Sequence, residues 1–141
     1  MAKRTMGRKT AEKRTLKRWK FLCWEMLSKW KRKGGVCFIC GKTVGSKKLN
    51  AHHLVHKAQG NYAKFEPDNI VPMCGYYCHT MLWHGKMPWD KQRDYIDKWI
   101  GLERYWEIRR ESHKSHQYKA EDYEKMLKYF TEQYEQEEEE I

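Results

Sequence analysis

The sequence predicts an α+β fold in which a small metal-stapled core of short strands sits between an N-terminal basic helix and a C-terminal set of helices. Three observations predict it. Four cysteines form two close pairs, Cys37-x2-Cys40 and Cys74-x3-Cys78. The stretches between them are short and β-leaning, with glycines at 41, 45 and 60. Outside this core, apolar residues recur at helical three- and four-residue steps.

The chain divides into five segments. Residues 1–9 are basic, contain Gly7 and show no apolar period, which reads as a disordered arm. Over 10–33, Thr10 reads as an N-cap, and Leu16, Trp19, Cys23, Met26 and Trp30 form an apolar stripe ended by Gly34-Gly35. Arg14, Lys17, Arg18 and Arg32 line the other side, so one face can pack while the other meets phosphate. The zinc core spans 34–86. In it Val36–Ile39 and Leu49–Val55 read as a hairpin or knuckle, Asn69–Met73 as the next extended segment, and Gly75–Trp83 as a short helix closed by Gly85. Over 87–136 three helical stretches follow, broken at Gly101 and at the polar run 112–117, and 137–141 is an acidic tail.

With 141 residues and 14% aromatics, one domain with a modest core is expected. Charge is uneven: residues 1–33 hold thirteen Lys/Arg against two acids, and residues 121–141 hold two against nine. A basic front suits a polyanionic partner. The acidic end reads most simply as a solubilising tail. No apolar stretch reaches the roughly 20 residues that cross a bilayer, which excludes a membrane-spanning class. The polar start lacks a secretory core, so a reducing cytoplasmic compartment is expected, in which paired cysteines bind metal.

Four thiolates at this spacing describe a closed, tetrahedral, structural Zn²⁺ site. His79, directly after Cys78, competes with the cysteines as a fourth ligand, and spacing leaves that choice open. Cys23, in a tryptophan-rich helix, reads as a packing residue. Between the pairs stand His52-His53 and then Asn69. A purely structural zinc knob needs no such histidines.

In order, Cys-x2-Cys, His-His, Asn, Cys and Cys-His over Cys37–His84 resemble the HNH endonucleases of ββα-metal fold. The stretch from Ala51 to Cys78, followed by Gly101-x-Glu103 and a helical tail, is similar to the phage Rap/NinG recombination endonucleases. The resemblance implies a DNA hydrolase, encoded by a phage and acting on branched DNA. Homing or packaging-associated nicking nucleases and a noncatalytic zinc-dependent nucleic-acid-binding module are the alternatives. By the same resemblance His53 is the general base, Asn69 braces its loop, and His52 and His79 bind a catalytic Mg²⁺ or Mn²⁺. His52 replaces a common aspartate, which shifts preference toward a transition metal. His56 and His84 stand in reserve, His84 being off the helical face of His79. Lys47, Lys48, Lys57 and Lys64 flank the site and suit the DNA backbone. Symmetric cutting of a junction calls for a homodimer.

Overall fold

The computed structural model describes residues 2–56 and 60–139, with side chains described for 15–56 and 60–137. Helix α1 (Ala2–Arg32) is followed by strand β1 (Leu49–His53), helix α2 (Asn61–Phe65), strand β2 (Ile70–Cys74) and a π-helix (Gly75–Lys86). Helices α3 (Trp89–Trp99), α4 (Leu102–Ser112) and α5 (Ala120–Glu139) complete the chain. Lys57 lies outside the described residues.

Helix α1 starts at Ala2 rather than Thr10, so the segment read as a disordered arm is helical from residue 2. Its Ala, Lys, Arg and Met residues are strong helix formers with only Gly7 against them. The helix ends where Gly35 adopts φ 71° and its N–H bonds Arg32 O at 3.0 Å, a left-handed stop that glycine takes without strain. The acidic tail is likewise not separate: α5 runs on to Glu139, and Trp30 Nε1 donates to Glu137 Oε1 at 2.8 Å.

The hairpin is not the expected one. Strand β1 pairs antiparallel with β2, from Leu49 opposite Cys74 to His53 opposite Ile70. Val36 and Thr43 form only an isolated bridge, closing the knuckle that holds Cys37 and Cys40. Lys47 and Lys48 sit in an exposed 3₁₀ turn before β1. Pro72 in β2 lacks a donor, but its carbonyl accepts from Phe38 N at 2.7 Å and docks the knuckle on the sheet.

Two apolar clusters cover the two faces of this small sheet. On one side Val71, Met73, Phe38 and Trp83 pack with Ile96 of α3 and Tyr105 and Ile108 of α4. On the other, Ile70 and Phe65 pack with Cys23 and Leu27 of α1 and Tyr123 and Phe130 of α5. Cys23 is fully buried and donates to Tyr123 O at 3.1 Å, as a packing cysteine should. The contacts Cys23–Tyr123, Trp30–Phe130 and Lys33–Tyr134 show that α1 and α5 run parallel. Trp83 is core, whereas Trp89, Trp99 and Trp106 leave over 40% of their surface exposed. Trp99 still meets the Phe38 ring edge-on at 5.3 Å.

Gly35 also carries the close approach of two backbones. Its carbonyl accepts from Val44 N at 2.9 Å and Gly45 N at 3.2 Å, and a Cβ there would lie 3.3 Å from Gly45 Cα. Gly35→Ala is therefore expected to destabilise the protein by about 1–2 kcal/mol, the left-handed penalty for an L side chain, read from denaturant midpoints. Gly41→Ala, with a similar φ but no atom within 4 Å, should cost less.

Candidate functional site

The four cysteines Cys37, Cys40, Cys74 and Cys78 converge so that their sulfurs lie within 4.8 Å of one another. Cys40 and Cys74 Sγ are 3.8 Å apart, about the edge of a tetrahedron with 2.3 Å metal–sulfur bonds. Backbone amides point at this site: Ile39 N and Cys74 N each donate to Cys37 Sγ at 3.4 Å. Burial pushes the Cys37 thiol up, but the N–H groups of Cys40, Cys74 and Ile39 outweigh it and bring it to about 7. Burial and the neighbouring Cys37 and Cys40 sulfurs push Cys74 up to about 11 and raise Cys78 further. Four crowded sulfurs do not hold thiolate charge on their own, and a divalent cation would supply the compensation. The chain thus has four cysteines positioned to bind a metal ion, consistent with structural zinc. All four supply the set, and His79 turns elsewhere.

His79 joins His52 and His84. Their ligand nitrogens lie within 4.8 Å of one another. The ring centroids are 4.5 Å apart for His52–His79, 5.0 Å for His52–His84 and 4.8 Å for His79–His84. In an α-helix five residues span about 140°, which would put His84 off the face of His79. The helix is instead π-wound, with bonds reaching five residues back. Met87 N bonds Leu82 O at 2.7 Å and Thr80 Oγ1 bonds Gly75 O at 3.1 Å, both across that interval. Residues 79 and 84 therefore stack one above the other.

The environment disfavours protonation of His52 and His79. His52 is 8% exposed against the Trp83 ring, and burial, then the charges of His79 and His84, lowers its pKa to about 3. Burial and His84 lower His79 as well. His52 Nε2 is buried without a hydrogen-bond partner, a costly state that a cation relieves. His79 and His84 face each other through Nε2 atoms 3.1 Å apart. Asn50 Nδ2 lies 3.4 Å from His79 Nδ1. With its amide turned, Oδ1 accepts from Nδ1–H and leaves the Nε2 lone pair for a metal. Gly75 permits this approach, since a Cβ there would sit 3.0 Å from Asn50 Nδ2. Three imidazoles suit a transition ion such as Zn²⁺ better than Mg²⁺, which seeks oxygen.

Neighbouring strand residues point to opposite faces, and His53 accordingly leaves the cluster. Its ring stacks on Trp24 of α1 with centroids 4.9 Å apart, and Nε2 lies 3.1 Å from Lys64 O. That carbonyl makes Nε2 the protonated nitrogen and Nδ1 the basic one. Asn69, fully buried, holds the same loop: Nδ2 donates to Val55 O and Ala63 O at 2.8 Å, and Oδ1 accepts from Val55 N at 2.7 Å. Arg104 of α4 fixes the turn before Asn69 by ion pairs to Glu66 at 3.0 Å and Asp68 at 2.8 Å. Asp68 is thus a turn residue, and Arg104 is a positioning group that helical periodicity alone does not mark. Lys64 is half-buried with Nζ over the Phe65 ring, while Lys47 and Lys48 are exposed.

Two outcomes check this site. Cys78→Ser should abolish the thiolate-to-metal absorption of the Co²⁺-loaded protein and unfold the knuckle, because binding free energy here is folding free energy. The second concerns pH. The unfolded chain protonates His52 near 6.5 while the fold holds it neutral to about 3, so native stability falls as pH drops from 6.5 toward 3. His52→Gln should flatten that part of the acid loss in thermal melts against wild type. Compared with protein-family models, curated proteins and solved structures, the chain matches none of them.

Proposed function

We propose that the chain is a metal-dependent endonuclease that hydrolyses DNA phosphodiester bonds, with β1, β2 and the π-helix forming a ββα-metal core of the HNH type. The observation that carries this reading is the His52–His79–His84 cluster. Three imidazoles converge there from a strand and a helix, one of them with a buried, unpartnered nitrogen. When bound, a divalent ion would supply charge neutralisation at the phosphate and acidify water. His52, His79 and His84 hold it, Asn50 orients His79, and Asn69 closes the loop whose Lys64 carbonyl orients His53.

In this reading, which follows the resemblance, His53 takes the proton from water through Nδ1, and the tautomer set by Lys64 O fits that role. Its stack on Trp24 favours a second reading, in which His53 only fixes the loop. The net charge of +10 suits DNA. Branched DNA is the proposed substrate, cut by a homodimer and encoded by a phage, following the resemblance of the Ala51–Cys78 stretch. A homing or packaging-type nicking enzyme would prefer linear duplex.

The test is a digest of linear, nicked, forked and four-way DNA with Mn²⁺, Zn²⁺ or Mg²⁺. His84→Ala and His79→Ala should abolish cutting while leaving the metal at the four cysteines in place. His53→Ala should slow it by about 10²–10⁴-fold if the residue is the base, and barely at all if it only fixes the loop. Absence of cleavage by the wild type with every ion overturns the nuclease reading, and full cleavage by His84→Ala overturns the assignment of the imidazole cluster.

A further inference from the structure

A cavity of about 240 Å³ opens beside the end of β1, lined by Leu54, Val55, His56, Arg109, Ser112 and His113. Leu54 and Val55 directly follow the two histidines of β1, so the cavity begins within about 7 Å of His52 along an extended strand. Its other wall is the last turn of α4, which packs on the same sheet face as Trp83 and the imidazole cluster.

The lining is chemically one-sided. Arg109 brings a permanent positive charge, and His56 and His113 bring imidazoles, while no carboxylate lines the cavity among the described residues. Arg109 is held in place: its guanidinium lies 5.4 Å from the Trp106 ring centre, and Nη1 donates to Tyr105 Oη at 3.4 Å. Tyr105 is itself 3% exposed and rigidly packed. An arginine steadied on one side by an indole and a phenol presents its fork of donors to an anion with little entropy left to lose. The nearest acid on this turn, Glu111, turns to Lys114 at 2.8 Å and His116 at 3.5 Å instead.

We propose that this cavity binds a phosphate of a DNA strand flanking the one at the imidazole cluster, with Arg109 as the principal contact and His113 at its rim. The proposal rests on the nuclease reading for the identity of the ligand, and it sets the path of the strand: across the end of β1 and along the last turn of α4.

The experiment is a fluorescence-anisotropy titration of the full-length protein, metal-loaded at the cysteines, with a labelled DNA duplex and a labelled four-way junction across a salt series. Arg109→Ala should weaken binding roughly 10-fold and lower the slope of log affinity against log salt by about one, the signature of one lost phosphate contact. Arg109→Lys should restore the slope. Because Arg109 also packs on Trp106, the exposed His113→Glu supplies an independent variant, which should weaken binding without touching that packing. Unchanged affinity and slope in both Arg109→Ala and His113→Glu overturn the proposal, even if the wild type cuts DNA. Weakened binding in both, with no cleavage by the wild type, would instead retain this site and remove the nuclease reading. Absence of DNA binding by the wild type removes both.

Discussion

The four sulfurs at the foot of the sheet set the geometry on which the imidazole site depends. Cys74 ends β2 and Cys78 lies in the first turn of the π-helix, while Cys37 and Cys40 come from the knuckle docked on Pro72. Clamping them fixes the angle at which that helix leaves the strand. His79 is the next residue after Cys78, so its position is inherited from the clamp. Small domains with a two-stranded sheet have too little core for such precision, and a metal ion held by the four cysteines would substitute for it.

The second constraint is the winding of the helix. Five-residue bonds give up favourable α-helical geometry, which is why π-segments are rare and gather at functional sites. Here the effect is direct: His79 and His84 meet on one face, opposite His52 on β1. Trp83, between them in sequence, turns inward to Phe38 and His52 and gives the cluster an apolar wall. That wall is also what keeps His52 neutral and able to coordinate.

The sheet then separates two tasks. Asn50 and His52 face the π-helix with Val71 and Met73, whereas His53 faces α1 with Ile70 opposite it. On the α1 side, Lys64 O and the Asn69 bonds hold His53 and its loop. In the proposed nuclease this divides cation binding from proton transfer. The parallel packing of α1 on α5 adds a charge effect. The acidic end of α5 lies beside the basic last turn of α1, where Glu137 meets Trp30 and, after Asp68, opposes part of the burial that depresses Lys31.

Asn69 as a loop brace followed from the family resemblance, whereas residue order alone was enough for the α+β class, the two cysteine pairs, the helical flanks and the buried role of Cys23. These are local: metal spacing, period and capping are written in consecutive residues. Where α1 begins and where α5 ends were less legible, because propensity and packing extend helices past composition boundaries. That His84 rather than His53 completes the cluster with His52 and His79 emerges only in the folded chain. The i, i+5 spacing has no meaning until the helix is π-wound, and strand alternation sends His53 to the other face. The pairing of β1 with β2, and the meeting of Arg109 with Leu54 and Val55, were likewise closed to sequence reading. They join residues far apart in the chain, and such contacts are chosen by the packing of whole elements.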